Sequence, residues 1–314
     1  TKDNQKAKLK EEVELYKNSV LNTYLEIITS VLQARQQSLY LMTNSERSKV
    51  MEKMTNLIKN RSDNYFPLVV DLTRSNCIKL PLNNYNNKDY PPNIRMDYAV
   101  TDKADGFRKL LFINNTGKCY LKSREGKTDD KYAFRYTGTI IKEYAYSIFD
   151  GELIEQTLDG KYTQNFYIFD AYAVKGASMI DKPFGESKNP EGRYFHIIEF
   201  EKYFNKSMSI LQDENIPLLM RFKIFKKVYY FGDSHSKLLK VIEKINLKKM
   251  DSDSSKYDSK IFEQANVVLS KTNSKYGGEL EDGHMFSYGL DGLIFQPVNL
   301  GVSQNHLDEK VSKI

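Results

Sequence analysis

The sequence predicts an α+β chain in which an N-terminal helical region precedes twisted antiparallel sheets with flanking helices. Three observations carry that expectation. Apolar residues recur at helical spacing through the first sixty positions. Strand-like runs parted by turn signals follow from about residue 97. The chain has 22 Tyr and 17 Phe but no Trp, and such bulky aromatics favour strands.

The helical region is read from Lys6 to Met51. Val13, Leu15 and Tyr16 are followed by Val20, Leu21, Tyr24, Leu25 and Ile28, and no Pro or Gly occurs before Pro67. A second helical pattern, Ser45 to Asn60, follows a capping-type Asn44-Ser45. Residues 1–81 are therefore assigned to an N-terminal helical region. Residues 82–96, rich in Asn, Tyr and Pro, read as a linker. Residues 97–300 form the main domain and 301–314 a tail.

Within the main domain the strand-like runs are Asp97 to Lys103, Phe107 to Ile113, Lys118 to Ser123, Tyr144 to Glu155 and Tyr162 to Val174. Asp105-Gly106, Asn114 to Gly117 and Asp159-Gly160 separate them, which predicts a mostly antiparallel meander. Residues 195–245 read as helix, broken by Pro217 and Gly232-Asp233. A polar loop at 250–260 leads towards a last strand, Gly289 to Gln296.

Bulk properties narrow the function classes. The chain has 314 residues, 40% hydrophobic and 28% charged, enough for a sizeable core and unlike a disordered chain. A net charge of +6 permits a polyanion partner without demanding one. Cys77 and Cys119 form neither a disulfide framework nor a metal pattern, so a reducing compartment is the simpler inference. The four His show no zinc-site spacing. There is no bilayer-length apolar run and no signal peptide. The first residue is Thr1 rather than Met, as expected of a processed chain or a piece of a longer one. Glu12 and Glu14 stand among Lys8, Lys10 and Lys17 and read as a solvated helix face.

Four short clusters carry chemistry-bearing side chains. In Thr101 to Arg108 a lysine, Lys103, ends a strand and an Asp-Gly turn follows; alone, this reads as a hairpin with a solvated lysine. In Ile148 to Ile154, Asp150 and Glu152 are two apart and share a strand face. Two acids facing an interior need a cation or hydrogen-bonded partners. In Phe166 to Ala171, Tyr167 and Phe169 share one face, and Ile168 and Asp170 the other. In Leu290 to Phe295, Asp291 immediately precedes an apolar strand, where it suits a metal or a turn.

The ordered set is Lys-x-Asp-Gly-x-Arg, Asp-Gly-Glu-Leu, an aromatic-Asp strand, then Asp-Gly-Leu-Ile-Phe. It resembles the signature of the covalent nucleotidyltransferase superfamily, which holds mRNA-capping guanylyltransferases and ATP- or NAD-dependent ligases. The resemblance spans about residues 95–297. Asp291 where ligases usually have Glu, together with the strand from Phe166 to Gly176, resembles the capping branch. TDKADGFR resembles the large multifunctional capping enzymes of cytoplasmic DNA viruses. The implied fold is the nucleotidyltransferase (ATP-grasp-like ligase and capping) fold. The implied activity is guanylyl transfer from GTP to the 5′-diphosphate end of RNA. The resemblance also implies a cytoplasmic setting and triphosphatase and methyltransferase domains on a longer polypeptide, with no membrane partner.

By the same resemblance Lys103 is the nucleophile that takes up GMP. Glu152 and Asp291 match acids at the metal and sugar side, with Mg2+ or Mn2+ expected. Arg108 is expected near the ribose, and Phe169 to stack on the base. The family's fifth motif, Lys-x-Lys, and its OB-fold domain are not evident; Lys310 and Lys313 are one position too far apart. Slow guanylylation by this chain is the expectation that follows. Two other readings stand beside capping: the adenylation domain of an ATP-dependent DNA or RNA ligase, and a catalytically silent interaction module.

Overall fold

The computed structural model describes residues 2–36, 40–58, 98–123, 134–157, 160–208, 222–231 and 288–302, with positions 71, 73, 76 and 94. The linker read at 82–96 apart from Ile94, the loop at 250–260, Cys77 and residues 303–314 lie outside the described residues.

Two helices open the chain, α1 (Lys2–Gln36) and α2 (Asn44–Leu57). The second is capped by Thr43, whose side chain accepts from the Glu46 amide at 3.1 Å, so the cap lies one residue before the expected Asn44-Ser45. Large apolar side chains of α1, among them Tyr16, Leu21 and Ile28, stay exposed. Glu14 pairs with Lys17 on its solvated surface, as the charge pattern predicts. Among the described residues no helix is long and apolar enough to cross a membrane.

The strands are β1 (Tyr98–Ala104), β2 (Phe107–Ile113), β3 (Lys118–Ser123), β4 (Phe134–Ile140), β5 (Ser147–Gln156), β6 (Tyr162–Val174) and β7 (Ala177–Ser178). Helix α3 (Arg193–Met208), β8 (Phe222–Lys226), β9 (Tyr230–Phe231) and β10 (Leu290–Pro297) complete the fold. Together they make an α+β architecture of antiparallel sheets flanked by helices, as the sequence predicts. One sheet has the order β10-β1-β9 and the other β4-β3-β2-β5-β6-β7, with β8 parallel beside β6.

The larger sheet is buried on both faces, and β2 reads accordingly. Leu110, Leu111, Phe112 and Ile113 are all fully buried, an unbroken apolar run of the kind a doubly covered strand requires. Leu110 and Phe112 join the cluster containing Val50 and Met54 of α2. Leu111 and Ile113 join the cluster containing Ile197 and Phe200 of α3. Phe200 stacks on Phe149 of β5, ring centroids 4.3 Å apart. Full burial of each such side chain contributes roughly 1.5–3 kcal/mol.

Three sequence expectations are corrected. Asp105-Gly106 is not a hairpin turn, because β1 pairs with β10 and β9 while β2 pairs with β3 and β5. The segment read as helix over 195–245 contains β8, where Phe222 and Ile224 alternate into the core and pairing with β6 overrides local helical tendency. Strand β4 was not anticipated; it pairs with β3 across a register irregularity.

The far end of the larger sheet is tied by Arg193 at the start of α3. This fully buried guanidinium reaches both oxygens of Asp170, at 2.7 and 3.2 Å, and donates to the carbonyls of Lys182 and Leu300. Asp170 also accepts from the Ala171 amide at 2.8 Å. Replacing Arg193 with Met would leave a buried carboxylate without its cation. The expected cost is about 3–5 kcal/mol, read by urea unfolding. A loss below about 1 kcal/mol, the scale of an exposed pair, would contradict this role.

Candidate active site

The site is organised by the passage from β1 to β2. Asp105 donates its amide to the Gly289 carbonyl at 2.9 Å, and Gly106 then carries the chain into the other sheet. A side chain at Gly106 would place its Cβ 2.6 Å from Ile154 Cδ1, 2.7 Å from the Leu153 carbonyl oxygen and 2.9 Å from Glu152 Cγ. Close backbone approach therefore demands glycine here. Lys103 ends up in one sheet and Arg108 in the other, five positions apart in the chain.

Lys103 is half-buried in β1. The β1–β10 register sets Asp102 opposite Leu293 and Ala104 opposite Leu290. Two residues of β10, Asp291 and Gly292, thus stand against the single Lys103, with Gly292 at φ +120°. A bulge of this kind re-aims side chains and is characteristic of functional strands. The backbone of Asp291 is thereby placed beside the lysine.

Glu152 faces Arg108 across β2 and Tyr167 across β6. Burial, then the charge of Asp150, pushes its carboxyl up to about 7; Lys227, Arg108 and Lys103 pull it down. Lys103 and Glu152 are thus electrostatic neighbours. Asp150 shares the face of Glu152, as the alternation predicts, and is fully buried against Arg108.

Phe169 is the extra residue of a bulge in β6, since Asp150 pairs with Asp170 and Gly151 with Ile168. That bulge interrupts the simple alternation of β6 at this point. It also sets the Phe169 ring 5.3 Å from the Arg108 guanidinium. The fold thus brings together Lys103, Arg108, Glu152 and Phe169 from β1, β2, β5 and β6, with the Asp291 backbone beside the lysine.

Sequence reasoning missed the group behind Lys103. Asp102 accepts from Lys227 Nζ and, at 3.1 Å, from the Tyr288 hydroxyl, all three being buried. Lys227 also lies 3.1 Å from the Tyr288 oxygen and 5.8 Å from the Tyr167 ring centroid. Burial pushes the Lys227 amine down, opposed by Asp102 and Glu152. Nothing in the run Phe225-Lys226-Lys227-Val228 distinguishes this lysine from a surface one.

Of the two acids expected at a cation, Glu152 is the one whose side chain is described. Mg2+ keeps several waters and takes one or two carboxylates plus substrate phosphates. Among the described residues no group of three or more His, Cys, Asp or Glu gathers. Glu152, held near neutrality, is an acid that a cation would keep charged.

The Glu152 carboxyl gives a signed pH dependence. Folded, it keeps its proton to about pH 7; its ordinary value is 4.5. The folded state binds the extra proton between those limits, so its contribution to stability falls as pH rises through that window and levels off above it. Urea midpoints at pH 5 and pH 8 for the parent and Glu152→Gln check this. The parent should lose stability relative to the variant as pH rises; a relative gain would contradict the buried carboxyl.

Known proteins resemble this chain at the level of family. The family described as mRNA capping enzyme, catalytic domain, matches residues 93–250. A probable mRNA-capping enzyme of Acanthamoeba polyphaga mimivirus is 26% identical over 308 residues, covering 92% of this chain. The chain spans 23% of that relative's length. The ligase domain of M. tuberculosis LigD is 12% identical with a TM-score of 0.31, over 65% of this chain and 49% of that one, a likeness too distant to bear on the site. With the family match covering half its length, the chain belongs to the family of mRNA capping enzyme catalytic domains.

Proposed function

We propose that this chain is an mRNA guanylyltransferase that forms a covalent lysyl–GMP on Lys103 and passes GMP to RNA. The observation that carries the reading is the position of Lys103. It is half-buried, stands against the Asp291–Gly292 bulge and lies within electrostatic reach of Glu152.

In the first step the Lys103 amine attacks the α-phosphorus of GTP. An N–P bond forms, the bond to the bridging oxygen breaks, pyrophosphate leaves and the amine gives up its proton. In the second step a terminal oxygen of an RNA 5′-diphosphate attacks the same phosphorus, the N–P bond breaks and the amine is protonated again. A shared nucleophile of this kind gives ping-pong kinetics.

The surrounding residues have separate tasks. Phe169 offers a flat apolar face to the base. The Arg108 guanidinium lies 5.3 Å from that ring's centroid, and its task is to bind the ribose. Glu152 and Asp291 would hold Mg2+ or Mn2+ jointly with the triphosphate. Bound there, the cation would neutralise charge developing on the phosphate oxygens.

Incubation with labelled GTP or ATP and a divalent cation tests the proposal. Acid-labile label from GTP should accumulate slowly, transfer to diphosphate-ended RNA and vanish in Lys103→Ala. Label from ATP alone would favour ligase chemistry; no label from either nucleotide would favour a silent module.

A further inference from the structure

Asp150 lies at the centre of β5, fully buried, and three donor atoms from the two flanking strands converge on it. From β2, Arg108 reaches it as a two-pronged fork, Nε to Oδ1 at 3.1 Å and a terminal nitrogen to Oδ2 at 2.5 Å. From β6, the buried Tyr172 hydroxyl donates to Oδ2. A bidentate fork fixes both the position and the plane of a guanidinium.

The geometry of β6 makes this arrangement possible. Ile148 pairs with Ala173 and Phe149 with Ala171, leaving Tyr172 as the extra residue of a second bulge. The first bulge lays Phe169 over the guanidinium, and the second supplies the hydroxyl that meets Asp150. The Arg108 side chain is 14% exposed, while Asp150 is sealed from solvent. Burial opposes the guanidinium's charge, but Asp150 outweighs it and holds Arg108 above its ordinary range. A lone Arg108–Asp150 pair would leave the carboxylate free to tilt about Cβ–Cγ. A third partner on the opposite strand removes that freedom.

We propose that Asp150 and Tyr172 are positioning residues that fix the Arg108 guanidinium at the nucleotide without touching the nucleotide themselves. The inference rests on the reading of this group of residues as a nucleotide site. It assigns Tyr172, a residue given no role in the sequence reading, a part in affinity that acts through Arg108.

A double-mutant cycle separates this role from simple support of the fold. GTP affinity is measured by calorimetry for the parent, Tyr172→Phe, Arg108→Gln and the double variant, with urea unfolding of each. Tyr172→Phe keeps the ring and removes the donor. It should weaken GTP binding about three- to ten-fold when Arg108 is present and by less than about two-fold in Arg108→Gln. Urea unfolding shows that each variant is folded where its affinity is measured. Asp150→Asn, run through the same cycle, should give the same non-additivity and serves if the tyrosine variant fails to fold. Equal weakening in both backgrounds, or none with Arg108 present, overturns this inference while leaving the nucleotide site standing. A folded parent that binds neither GTP nor ATP overturns the site and this inference together.

Discussion

The contact on which the site depends is the approach of the Gly106 backbone to β5. No Cβ fits between that backbone and Ile154, Leu153 and Glu152. Because the chain crosses there within two residues, the strand carrying Lys103 and the strand carrying Arg108 belong to different sheets. Their side chains can then meet one ligand from two sides. A true hairpin at Asp105-Gly106 would have put both strands in one sheet.

Charge placement follows from that junction. Each wall is backed by a buried carboxylate already satisfied by a cation and a tyrosine hydroxyl: Asp102 with Lys227 and Tyr288, Asp150 with Arg108 and Tyr172. Such fully bonded groups are rigid, since breaking any one would leave a desolvated polar atom. Glu152 differs. It is pushed to about 7 because burial and Asp150 outweigh the neighbouring cations. A cation arriving beside it would favour its charged form.

Much of this was legible in the sequence, and the gaps have physical causes. β2, β3 and β6 occur over the residues that apolar pattern and turn signals define, because local spacing and burial agree there. The shared face of Asp150 and Glu152 followed from alternation. Strand partners did not follow, since the Asp-Gly pair that usually closes a hairpin here crosses between sheets. β8 was misread because Lys223, Lys226 and Lys227 mask its two buried positions, and its pairing with β6 is parallel and distant. Lys227 and Tyr172 were invisible as site residues for a related reason. Bulges and loop geometry, rather than any local pattern, aim them at their carboxylates.

The central claim is that one amine at this junction is the group that takes up the nucleotide. Peptide mapping by mass spectrometry, after incubation with GTP and a divalent cation under alkaline quench, tests it directly. The added GMP should lie on Lys103 and on no other lysine, the neighbouring Lys109 and the buried Lys227 included. GMP on either of those, or an unmodified Lys103 in a chain labelled elsewhere, would contradict the account.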